Sequence, residues 1–136
     1  MHTPSQDAVL AAADAIIDAF AATDTEAYFA GFDASATFIF HPEAARLNSR
    51  SEYEALWGGW IESGWRVTAC ESTDRLVQMF PGGAVFSHTV ATSIDSADGP
   101  DSYVERESII FRADPDGSLV AIHEHLSTVP LEGAGA

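Results

Sequence analysis

Apolar residues recur along this chain with two different periods, and the switch between them divides it in two. From Val9 to Phe20 they fall at Val9, Ala12, Ala13, Ile16, Ile17 and Phe20, the stripe of a helix with one buried face. Thr3-Pro4-Ser5-Gln6 carries capping and first-turn residues ahead of it, which predicts a first helix over about Pro4–Ala22. Thr23-Asp24-Thr25 caps a short second helix holding Tyr28, Phe29 and Phe32, and Asp33-Ala34-Ser35 breaks it. Ala36 to His41 is rich in β-branched and aromatic residues and stops at Pro42, as a strand would. Ser51-Glu52-Tyr53-Glu54 reads as a capping box opening a third helix, with Tyr53, Leu56, Trp57, Trp60 and Ile61 on one face and Gly64 at its end.

After Gly64 the pattern is that of strands. Trp65 to Phe80 ends at Pro81-Gly82-Gly83, Ala84 to Asp95 comes next, and Ser96 to Ser102 is a loop. Tyr103 to Arg112 then turns through Asp114-Pro115-Asp116-Gly117 into Ser118 to Val129, leaving Pro130 to Ala136 as a frayed tail. The order α-α-β-α-β-β-β-β predicts an α+β fold. In it a long curved antiparallel sheet wraps the N-terminal helices and leaves a cone-shaped pocket.

At 136 residues and 46% hydrophobic composition, the sequence suits a single domain (1–136, core about 7–130) with a core of its own. The single cysteine, Cys70, leaves no internal disulfide to form. It reads as a small hydrophobe in a reducing, cytoplasmic compartment. Asp14 and Asp18 interrupt the N-terminal apolar residues, so neither a signal peptide nor a membrane span is expected. The net charge of −15 repels phosphate backbones and anionic lipid, which argues against nucleic-acid and membrane partners. Otherwise the acidity reads as solubility or adaptation to salt.

The chemistry concentrates in the last hairpin. If the Asp114–Gly117 turn closes it simply, Phe111 lies opposite Val120, Ile109 opposite Ile122, Glu107 opposite Glu124 and Glu105 opposite Leu126, all on one face. That face is the more apolar and should look into the cone. It would set Glu107 beside Glu124 in a low-dielectric wall, where one of the two must hold a proton or share a cation. A proton-holding acid beside a carboxylate base is the raw material of acid–base catalysis. The opposite face carries Arg106, Ser108, His123 and His125. There the histidines read better as interface residues of a homodimer than as ligands, although their i, i+2 spacing would suit a strand metal site.

His88 alternates with Phe86 and Val90, and His41 ends the first strand. Each alone is most simply a hydrogen-bonded structural histidine. Together with Glu107 and Glu124 they could converge on one pocket, whose walls would include Ile16, Phe40, Trp57, Trp60, Ile109, Ile122 and Leu126. The aromatic residues among these serve equally as core.

The segments DTEAYFAGFDASATFIFHP, SRSEYEALWGGW and RESIIFRADPDGSLVAIHEHLS together resemble the SnoaL-like branch of the nuclear transport factor 2-like superfamily, over about Asp7 to Pro130. The resemblance implies a cystatin-like cone, usually dimeric, shared with ketosteroid isomerase, polyketide cyclases and kinase association domains. Carried over by position, the isomerase's tyrosine becomes Ile16 and its base becomes Phe40, next to His41. Only its aspartic acid keeps an acidic counterpart, Glu107. Two functions remain open on this reading. One is a cofactor-independent isomerase, cyclase or dehydratase acting on a small apolar carbonyl compound, with Glu107 or His88 as base, Glu124 as acid and His41 at the mouth. The other is a non-catalytic homodimer that binds a small ligand or serves assembly. A metal held by His41, His88 and the glutamates is a third, weaker idea.

Overall fold

The structure, a computed structural model, describes residues 1–130; the expected tail lies almost entirely outside the described residues. Three helices, α1 (Gln6–Ala21), α2 (Thr25–Ala30) and α3 (Arg50–Glu62), pack on a five-stranded sheet. Its strands are β1 (Phe32–Phe40), β2 (Arg66–Phe80), β3 (Gly83–Asp95), β4 (Asp101–Ala113) and β5 (Leu119–Thr128), in spatial order β1-β5-β4-β3-β2. The expected α+β order is present. The four later strands form an antiparallel meander, and β1 joins its edge in parallel with β5, so the sheet is mixed at that edge rather than antiparallel throughout. No helix among the described residues is long and apolar enough to cross a membrane.

Helix starts differ from expectation by one turn or less, because the capping side chain is the one that reaches an orphan amide. Ser5, not Thr3, caps α1 by accepting from the Ala8 amide, and Ser49, not Ser51, caps α3 by accepting from the Glu52 amide. Asp24 caps α2 through the Ala27 amide. Gly64 lies just past α3 with φ +94°, a left-handed conformation that ends the helix at little steric cost. Strand β1 starts four residues early, at Phe32, and takes Asp33–Ser35 into an irregularity of its pairing with β5. There Asp33 accepts from the Ser35 amide and hydroxyl, and the hydroxyl bond, first among its partners, pulls its carboxyl down to about 2.

The core lies between the helices and the concave face of the sheet. Val9, Ala13 and Ile16 of α1 meet Phe38, Phe86, Ile109 and Phe111 of the strands, all at most 4% exposed. Trp57 of α3 stacks on Tyr28 of α2 with ring centroids 4.9 Å apart, and its indole N–H donates to Thr25 Oγ1 at 2.9 Å. These rings tie the two short helices together and floor the hollow beside the sheet.

The last hairpin departs from the simple register twice. Its loop is one residue longer than expected, because Ala113 pairs with Leu119 and the Asp114 amide donates to the Ser118 carbonyl. A second shift lies between Ile110 and Phe111, which pair with His123 and Ala121 and leave Ile122 as the extra residue of a bulge. Each shift reverses the face on which the next residues of β5 stand. Between them Ala121 is fully buried and Leu119 packs on the core, so Val120 and Ile122, expected to point inward, do not join it. Beyond the second shift the faces return to expectation: Glu124 is buried, Leu126 packs on the core, and His125 is exposed.

This placement predicts that Ala121→Asp destabilises the protein by more than about 3 kcal/mol, and Ile122→Thr by less than about 1 kcal/mol. Urea denaturation measures both, and the reverse ranking would restore the simple register.

Candidate active site

The inner part of the site is built from β-strand alternation. Strand β3 turns Phe86, His88, Val90 and Thr92 to the concave face, and β4 and β5 add Glu105, Glu107 and Glu124 to the same side. His88 lies opposite Glu107 across the β3–β4 ladder, while Glu124 faces Ile109, one pleat along from Glu107. Glu107 and Glu124 are therefore diagonal neighbours rather than the directly opposed pair the simple register predicts, and their carboxyls are hydrogen-bonded to each other.

That bond requires a proton, and the partners of the two carboxyls locate it. His88 Nε2 is 2.6 Å from Glu107 Oε1, and His88 Nδ1 is 2.6 Å from Ser72 Oγ. Burial, with the Arg75 charge adding to it, pulls His88 down to about 4, so the ring is neutral. A neutral ring with a carboxylate on Nε2 carries its proton there and accepts the Ser72 hydroxyl at Nδ1. Glu107 thus takes the His88 proton as an acceptor, which leaves Glu124 as the acid that donates to it. Burial first, then the Glu107 charge, raises Glu124 well above the ordinary carboxylate range. Burial also raises Glu107, and the bond from Glu124 works against that rise.

The chain of bonds continues. Tyr28 Oη donates to Glu124 Oε1 at 3.3 Å, and the Tyr53 hydroxyl, 2.9 Å from Tyr28 Oη, supplies the remaining proton. Both phenols are buried and held well above their usual range by that burial. The sequence Ser72–His88–Glu107–Glu124–Tyr28–Tyr53 is a continuous buried hydrogen-bonded series holding one shared proton and one negative charge. Among the described residues no buried side-chain nitrogen or oxygen lacks a partner.

Two spaces that share part of their lining adjoin this series. An inner chamber of about 40 Å³ touches Ile16, Tyr28, Thr92, Glu107 and Glu124. It holds a water or a single oxygen-sized group. A wider mouth of about 400 Å³ opens outside it, walled by Phe40, Trp60, Trp65, Tyr103 and Pro42. Phe20, Tyr53, Glu105 and Leu126 border both. In the mouth His41 Nε2 lies 2.5 Å from Glu105 Oε2, with the Glu105 side chain 11% exposed and that of His41 34%. Tyr103 stands beside this pair; burial and then the Glu105 charge push its phenol up to about 12. Cys70, also on the chamber wall, is pushed up to about 11 by burial and by Glu107, which keeps it a thiol.

Of the residues the sequence singles out, Glu107 and Glu124 meet at the chamber, and His88 supports Glu107 from behind without reaching either space. His41, Phe40, Trp60 and Leu126 line the mouth, and Ile16 the chamber. Trp57 and Ile109 are fully buried core, and Ile122 lies outside both spaces. The scattered metal set does not assemble: His41 and His88 go to different carboxylates, and no three His, Cys, Asp or Glu among the described residues are grouped to hold an ion. On the convex face Thr37 Oγ1 lies 2.8 Å from His123 Nδ1, and burial followed by the His125 charge lowers His123. Sequence reasoning misses Glu105, Tyr28 and Ser72. Strand parity already puts Glu105 on the face of Glu107. Nothing local marks Tyr28 or Ser72, which are defined by partners far along the chain.

Known structures share this architecture at low identity. A nuclear transport factor 2-like superfamily protein from Salmonella enterica superposes with a TM-score of 0.79 and 13% identity, covering 93% of this chain and 92% of that one. A ketosteroid isomerase-like protein from Erwinia carotovora gives 0.76 and 17%, over 91% and 95%. The CaMKII hub of S. rosetta gives 0.74 and 20%, over 90% and 95%. No match to a curated protein is found. The SnoaL-like domain model matches residues 9–132, which takes in every helix but the first turn of α1 and the whole sheet. The chain belongs to the SnoaL-like domain family.

Proposed function

We propose that the protein is a cofactor-independent acid–base catalyst that isomerises, cyclises or dehydrates a small carbonyl compound. The observation that carries this reading is the placing of two kinds of group beside adjoining spaces: a proton-holding Glu124 at the inner chamber and the hydrogen-bonded His41–Glu105 pair in the mouth. Within the Glu107–Glu124 pair, burial and the neighbouring charge make Glu124 the acid. The mouth has the volume of a small-molecule site, whereas the chamber admits only one polar atom. A substrate therefore lies in the mouth and points its carbonyl oxygen into the chamber.

In the step proposed, the imidazole of His41 takes a proton from the carbon next to the carbonyl. The C–H electron pair becomes the C=C bond of an enolate, and the charge moves to oxygen. Glu105, accepting from His41 Nε2, orients the ring and leaves Nδ1 as the base. The proton of the Glu124–Glu107 pair meets the enolate oxygen, and the phenols of Tyr28 and Tyr53 adjust with it through their hydrogen bonds. Return of a proton at another carbon gives isomerisation; loss of a β-hydroxyl gives dehydration. The base is thus drawn from the mouth and not from Glu107 or His88, which touch only the chamber or nothing open at all.

The second reading, a non-catalytic homodimeric ligand-binding or assembly module, has in its favour the likeness to a CaMKII hub and the saturated inner network. Loss of solvent-exchange chemistry on mutation separates the two. Exchange of ketone α-protons in D₂O, monitored by NMR over a panel of small cyclic and unsaturated ketones, is expected for the wild type. His41→Gln keeps a donor to Glu105 and should slow it by about 10²–10⁴-fold with the melting temperature unchanged. Equal exchange in both proteins, or none in the wild type, favours the binding module.

The shared proton also sets a dependence of stability on pH. The folded pKa of Glu124 is raised, so its contribution is fully present below the unfolded value near 4.5 and is lost as pH rises through the folded value. His88, lowered from 6.5 to about 4, contributes above 6.5 and loses that contribution as pH falls toward 4. Above pH 6.5 the effect of the raised Glu107–Glu124 pair remains, at up to about 1.4 kcal/mol per pH unit for its one shared proton. Glu124→Gln, which can still donate to Glu107 and accept from Tyr28, should remove the alkaline decline and keep the acid-side loss. Urea titrations at intervals from pH 4 to 9 measure this, and parallel wild-type and variant curves would contradict it.

A further inference from the structure

We propose that the substrate or ligand of the mouth is an organic cation, a small molecule bearing an alkylated ammonium group. Among the described residues, six of the eleven lining the mouth are aromatic, including Phe40, Trp60, Trp65 and Tyr103. Four of them form a continuous wall: Trp60 and Trp65 have ring centroids 5.3 Å apart, and Tyr53 lies 6.3 Å from Trp60 and 4.9 Å from Phe40. Aromatic rings attract a cation through their quadrupoles, most strongly where water is excluded.

Among the described residues the acidic side chains in that lining are Glu43 and Glu105, and none of the six arginines shares it; the chain has no lysine. An anionic ligand would meet two carboxyl groups, against which this lining sets only the His41 imidazole, whereas a cation complements them. One oxygen of Glu105, Oε2, is taken by His41. The other, Oε1, has no hydrogen-bond partner among the described residues, and Glu105 lines the mouth. It is a fixed acceptor beside an aromatic wall. The net charge of −15 adds a field that draws cations toward the protein from a distance. The volume of about 400 Å³ suits a free small molecule.

The inference rests on the mouth being the substrate's way in, but its test does not depend on turnover. Choline and 3,3-dimethylbutan-1-ol have the same shape and differ in charge. Titrated into the intact protein with tryptophan fluorescence and calorimetry as readouts, choline should bind saturably and at least about tenfold tighter than the neutral isostere. Glu105→Gln should erase most of that preference. Trp60→Leu, a second variant at a half-buried wall position, should weaken choline more than the isostere. Glu107→Gln, aimed at the chamber, should leave choline binding as it is even where ketone exchange is lost, so failure of the catalytic reading and failure of this one remain distinct. Equal affinities for the two probes, or no saturable binding of choline, would overturn the proposal.

Discussion

One proton shared between two buried carboxyls governs this site. Glu107 and Glu124 sit on adjacent strands of a wall that is otherwise largely apolar, and neither could be stripped of water as a bare anion next to the other. The fold resolves the conflict by protonating one and surrounding the other with donors. His88 supplies one of those donors, Glu124 the other, and the phenol pair Tyr53–Tyr28 extends the series to the helices. The packing around the series serves the same end: Trp57 stacks on Tyr28 and thereby fixes the phenol that donates to Glu124.

The consequence is a cavity whose two ends carry different groups. At its closed end stands a carboxylic acid kept neutral by burial. At its open end stands a histidine–glutamate pair in partial contact with solvent. A single strand face delivers both, because Glu105 and Glu107 are two residues apart on β4 and so point the same way, Glu107 to the chamber and Glu105 to the boundary of chamber and mouth. Family membership fixes the cone and its helices. The side chains that reach the two spaces are this chain's own: Ile16 borders the chamber, and Phe40, His41 and Glu105 border the mouth.

Much of this is legible in the sequence, for reasons that differ from element to element. The apolar stripe of α1 and the long alternating strands carry strong periodicity, so their existence and type can be read from the residues alone. Caps move by two residues at α1 and α3 because several serines and threonines stand in a row, and only geometry selects the one that meets an amide. The acid pair is found on its expected face through two one-residue errors that cancel, one in the loop at Ser118 and one in the bulge at Ile122. Between the two errors, Val120 and Ile122 are misplaced, since alternation carries no record of a bulge. Ser72 and Tyr28 escape notice because their meaning comes from His88 and Glu124, which lie 16 and 96 positions away.

Isotope-edited infrared spectroscopy of protein with ¹³C-labelled glutamate, compared between wild type and Glu124→Gln at pH 7.5, addresses the shared proton directly. The account predicts a protonated carboxyl stretch in the wild type that shifts with the label, persists well above the pH at which free glutamate ionises, and vanishes in the variant. A wild-type spectrum containing only carboxylate bands at that pH would contradict it.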